Sequence, residues 1–163
     1  MQQEIWVKGE PLPIHSVVFI IYNSRTNQFL LEERPLSNPT LGGEVVFPGE
    51  KGVGTDTIST AERGVKEEMG NQVKIKKYSL LHQFMGQVGN WGEGTLQPIL
   101  VTEWSGNIEN IESRKGLHIW TDRDSVMSSL TFDESKHLFL IALAKLQLLK
   151  ASDFESAPIL KTC

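Results

Sequence analysis

The chain has 163 residues, 39% apolar and 22% charged, with a formal net charge of −4, which fits one compact domain of ordinary globular composition. No apolar run approaches the ~20 residues a spanning helix needs, so no membrane segment is expected, and the acidic balance offers no basic field for long nucleic acid. The only cysteine is Cys163, which excludes an internal disulfide and a cysteine-built zinc site. Met1-Gln2-Gln3-Glu4 starts no secretion signal, so a cytoplasmic location is expected.

Val17 to Tyr22 is a continuous apolar run rich in β-branched and aromatic side chains, which predicts a strand covered on both faces. Asn23 to Asn27 is turn chemistry, and Phe29-Leu30-Leu31 completes a hairpin. Further strands are expected at 45–47, 73–81, 97–103 and 117–120. Thr57 to Met69 breaks this rhythm, because Ile58, Ala61, Val65 and Met69 recur at helical spacing. Asp56 is placed to cap that helix and Gly70 to close it in a left-handed conformation. Ser37–Gly43 and Gly86–Gly94 read as loops. Residues 135–149 are apolar around most of a helix, which predicts burial on more than one side, within the domain or against a second copy in a homodimer. A single domain over residues 1–150 and a C-terminal tail over 151–163 are expected.

The chemistry concentrates in Arg63-Gly64-Val65-Lys66-Glu67-Glu68-Met69-Gly70, preceded by Phe47-Pro48-Gly49-Glu50-Lys51. Arg63 and Glu67 are four apart and share a helix face, and Glu68 lies one step round the axis. Adjacent carboxylates repel, and a hard divalent cation such as magnesium is the usual way to hold them together. Glu-Glu on a helix is also, in most cases, simply a solvated surface.

Together these residues resemble the box of the Nudix hydrolase family, G-x5-E-x7-R-E-U-x-E-E-x-G-U with U aliphatic. The fixed positions are kept at Gly49, Arg63, Glu67, Glu68 and Gly70, with Val65 aliphatic, and are lost at Thr55, Gly64 and Asn71. The resemblance implies an α/β (α+β) fold, an α/β/α sandwich with a mixed β-sheet between helices. It also implies a magnesium-dependent hydrolase, manganese being the alternative ion, that cleaves a diphosphate bond in a nucleoside diphosphate derivative of nucleotide or nucleotide-sugar type.

By the same resemblance, Glu67 and Glu68 are metal ligands, and Arg63 orients a glutamate of the box. Arg34, Phe47 and Trp91 are candidate substrate contacts; a guanidinium suits phosphate oxygens, and an aromatic face suits a base. Gly64 stands where the family commonly has a ligand or base. Asp56 or Glu50 could stand in, although neither is in register. A base from a later loop is the other solution, with Glu112 the leading candidate beside Glu109 and Glu93. The four histidines show no ligand spacing and receive no role. The alternative reading is a catalytically inactive module of the same fold that binds a nucleotide or a protein partner.

Overall fold

The computed structural model describes residues 6–7, 10–11, 15–37, 42–52, 57–87, 93–113 and 116–155. The chain forms two compact units, the first made of Met1–Ile21 and Pro48–Ile108, the second of Tyr22–Phe47 and Glu109–Cys163.

In the first unit, two-residue strands β1 (Trp6–Val7) and β2 (Glu10–Pro11) pair antiparallel. The long strand β3 (His15–Asn23) contributes His15–Ile21 here. Phe19, Ile20 and Ile21 are all fully buried, as a strand covered on both faces requires. Reserving β4 and β5 for the second unit, β6 (Gly49–Gly52) pairs antiparallel with β3. Strand β9 (Glu93–Ser105) pairs with it in parallel. The outer strand β7 (Lys74–Leu80) and the short β8 (Phe84–Gln87) then pair antiparallel with β9, so the sheet is mixed.

Helix α1 (Thr57–Met69) has the bounds its periodicity predicts, and buries Ala61, Val65 and Met69. Each side chain of Val65 or Met69 size contributes about 1.5–3 kcal/mol by leaving water. Gly70 closes the helix at φ +101°, its N–H donating to the Lys66 carbonyl at 3.0 Å. Asp56, the expected cap, lies outside the described residues.

In the second unit, β4 (Gln28–Glu33) pairs with the end of β3 through the expected hairpin. Asn27 adopts φ +54° there, and its side chain accepts a hydrogen bond from the Tyr22 hydroxyl at 2.9 Å. Strand β5 (Val45–Val46) lies on one side of β4. On the other is β11 (Gly116–Asp122), which pairs in turn with β10 (Ile111–Ser113).

Helix α2 (Arg123–Ser129) was not expected: in Arg-Asp-Ser-Val-Met-Ser-Ser only Val126 and Met127 are apolar, too few to show a period. Helix α3 (Asp133–Lys145) starts two residues earlier than the apolar pattern suggests and stops four residues sooner. Gln147 turns left-handed at φ +60° and the Leu148 N–H donates back to the Leu143 carbonyl at 2.9 Å, so Leu148 and Leu149 follow the helix instead of extending it. Within this unit, Phe139 on α3 packs edge-on against Phe29, with ring centres 5.1 Å apart.

Residues 151–154 form a 3-10 turn in which Asp153 is buried. Its carboxylate accepts two hydrogen bonds from the Arg123 guanidinium, both at 2.6 Å, and a third from the Lys150 N–H at 2.6 Å. Arg123 donates again to the Leu148 carbonyl at 2.8 Å. The bond from Arg123 holds the Asp153 carboxyl below the ordinary carboxylate range, against the opposing effect of burial and with help from the Lys150 N–H. A carboxyl whose folded pKa is depressed stabilises the fold above its unfolded pKa and loses that contribution as pH falls through the folded value. Asp153→Asn should therefore lower stability at neutral pH by about 3 kcal/mol. Denaturant titrations over a pH series should show the wild type losing more stability than the variant on acidification below the ordinary carboxylate range.

Candidate functional site

In the first unit, α1 lies against β6 and β3, and the approach is closest at Gly64. A Cβ at this position would stand 2.6 Å from Glu50 Cβ, 2.7 Å from Phe19 Cζ and 3.1 Å from Glu50 Cγ. Phe19 is fully buried and cannot swing aside, so the helix can sit this close only because residue 64 has no side chain.

Arg63 runs along the same junction. Its guanidinium donates to the Lys51 carbonyl at 2.5 Å and stands 4.0 Å from the Glu50 carboxylate. The Lys51 N–H also donates to Glu50 Oε1 at 3.1 Å, so this carboxylate is held from two directions. Its side chain is only 10% exposed. Further along α1, Glu67 is exposed and Glu68 is buried at 3% relative exposure. Because 64, 67 and 68 are related as i, i+3 and i+4, the two glutamates continue the face on which Glu50 covers Gly64. Carboxylate oxygens are the ligands that magnesium or manganese takes, and magnesium needs only one or two of them when water fills its remaining positions.

The other expected site residues are distributed as follows. Phe47 is buried in the second unit, with its ring centre 6.5 Å from Phe139. Trp91 and Thr55 lie outside the described residues, and Glu112 is placed in β10 by its backbone alone. Glu109 is exposed. Arg34 follows β4 and is half-buried, its Nε 3.2 Å from Glu32 Oε2.

The second unit also contains a pair that the sequence reading missed. His118, fully buried, stands with Nε2 3.5 Å from Glu32 Oε1, and the two residues are direct partners across β11 and β4. Glu32 thus stands between the buried His118 and the half-buried Arg34. Only the strand register could have revealed this, by setting position 118 opposite position 32.

Solved structures with a similar course of chain include the MutT protein of Bacillus halodurans, at 24% identity and a TM-score of 0.62 over 77% of this chain and 79% of that one. A MutT structure from work on Aliivibrio salmonicida and Vibrio cholerae gives 22% and 0.63 over 81% and 98%. The Nudix domain of Shewanella oneidensis NrtR, solved with ADP ribose, gives 18% and 0.61 over 87% and 92%. The fold is the Nudix fold. No protein-family model and no curated protein matches the sequence. Among the described residues, a mixed sheet and helices α1 and α3 stand as the sequence implies, with α2 in addition, and no helix among them is long and apolar enough to cross a membrane.

Gly64→Ala tests the close approach. Alanine favours a helix over glycine by about 1 kcal/mol, whereas overpacking a filled interior costs about 1–3 kcal/mol. The expected outcome in chemical denaturation is a net loss of about 1 kcal/mol, and a larger loss for Gly64→Glu. A gain in stability would show that β6 yields at this point.

Proposed function

We propose that this chain is a magnesium-dependent hydrolase that splits a diphosphate bond in a nucleoside diphosphate derivative, of nucleotide or nucleotide-sugar type. The observation that carries this reading is the face of α1: Glu67 and Glu68 lie one turn beyond Gly64, and Arg63 is tied to the Lys51 carbonyl beside them. Those two glutamates would hold the cation, which when bound neutralises diphosphate oxygens and polarises phosphorus toward attack by water. Arg63 keeps the β6 end against the helix, so that the acids meet the substrate from a fixed frame. The Nudix-fold structures solved with ADP ribose, or named as an ADP compounds hydrolase, support a nucleotide as the substrate class.

The test is release of phosphate or pyrophosphate, with magnesium, from a panel of nucleoside triphosphates, dinucleotides and nucleotide sugars. Turnover of at least one compound is expected, with Glu67→Gln slower by about a hundredfold, roughly 3 kcal/mol of barrier. A rate unchanged by Glu67→Gln would remove the assigned site. No turnover anywhere, together with no cation binding, would leave the inactive binding module. A similar chain course occurs in a protein complex, since the C-terminal domain of mouse MUTYH, solved in complex with human PCNA, matches at a TM-score of 0.60 and 13% identity over 83% of this chain and 91% of that one.

A further inference from the structure

Within the first unit, the surface between α1 and the start of β7 opens into a cavity of about 300 Å³. The corner that forms it is tied in place, because the Val73 N–H donates to the Gly70 carbonyl and the Gln72 side-chain amide to the Met69 carbonyl, both at 3.3 Å. The apolar wall is Val65 and Val73, both buried, with the half-buried Ile75. Three ammonium groups line the same hollow, Lys66 from the helix and Lys74 and Lys76 from the strand, against one acid, Glu62. Among the described residues none of these lysines enters an ion pair, although Glu62 stands one turn before Lys66. In a chain of net charge −4 this is a local excess of positive charge.

Lysines on an outer strand ordinarily keep other strands from adding to it, and β7 is outermost among the described residues. That accounts for Lys77, which also has an acid, Glu103, opposite it on β9. It does not account for Lys66, which is on a helix, nor for the apolar wall between the charges. The pairing of β7 with β9 passes from Ile75 opposite Trp104 to Lys77 opposite Glu103, so Lys76 is an extra residue in the ladder. A bulge of this kind re-aims a side chain, and the re-aimed lysine here lines the hollow.

We propose that this cavity is an anion site, on the opposite side of α1 from Glu67 and Glu68, and that it takes a small phosphate-bearing molecule. A terminal phosphate carries about two negative charges and three acceptor oxygens, which three ammonium donors can meet; a carboxylate brings one charge and two oxygens. A volume of about 300 Å³ is the lower end for ligand cavities, so pyrophosphate or a small phosphate ester fits and a nucleotide sugar does not. No cation is required there. The inference therefore stands apart from the hydrolase reading.

The experiment is calorimetric titration of the full chain with pyrophosphate in the presence of EDTA, on the wild type and on Lys66→Met, Lys74→Met, Lys76→Met and Lys77→Met. All four lysines are exposed, and methionine keeps the apolar stem while removing the charge, so each variant should fold. Support for the proposal is saturable binding by the wild type, weakened about fivefold or more in each of the first three variants and by less than about twofold in Lys77→Met. Citrate should bind more weakly than pyrophosphate. If the wild type binds no pyrophosphate, the proposal falls. If Lys77→Met weakens binding as much as the others, the attraction belongs to the surface at large and the site is overturned. Citrate binding as tightly as pyrophosphate would overturn the phosphate class. None of these outcomes depends on whether any compound is turned over with magnesium.

Discussion

The contact on which the first unit depends is the one between the middle of α1 and the start of the strand before it. A helix can approach a sheet this closely only where its facing residue is small, and Gly64 brings the axis down onto Phe19 and the Glu50 stem. The approach also sets where everything on that face stands. It brings Arg63 within reach of the Lys51 carbonyl and aligns the buried Val65 and Met69 with the core. Residues 50 and 64 cannot change independently, because adding atoms at one removes space from the other. A chain seeking to regain an acid at 64 would first have to shorten residue 50, and the helix would have to lift from Phe19 as well.

The second unit is held by different means. Its core is a small aromatic cluster around Phe139, and it also holds a buried ion pair, Arg123 with Asp153, and a polar group of His118, Glu32 and Arg34. Buried charges of this kind contribute less to net stability than to specificity, since each needs its partner in one geometry and penalises every arrangement that separates them. The bidentate geometry of Arg123 with Asp153 is the stricter of the two, because a planar fork meets a planar carboxylate in few ways.

Much of this was legible in the residues. The bounds of α1 follow from apolar spacing and from Gly70, and the β3 and β4 hairpin follows from two apolar runs around Asn23–Asn27. Elements whose stabilisation comes from elsewhere were not legible: α2 buries just three residues, and the end of α3 depends on Gln147 taking a conformation usually left to glycine. The beginning of β9 was hidden because Gly94 ends a glycine-rich stretch that reads as loop, although pairing with β8 makes it strand. At the site, Arg63, Glu67 and Glu68 announced themselves by spacing along one helix. The position of Glu50 depends on how two elements meet in space, a distance that no register along the chain contains.

The pairing of Arg123 with Asp153 also bears on how the protein is made. The second unit joins residues 22–47 to a segment that begins at residue 109, so strand β4 waits for β11 while more than sixty residues of the first unit are synthesised. Its apolar Phe29, Leu30 and Leu31 stay uncovered over that interval. Even after β11 arrives, Arg123 is a cation about to be buried without its counter-ion until residue 153 has left the ribosome. Completion of this unit is thus a late event of biosynthesis, and its burial of charge waits for Asp153.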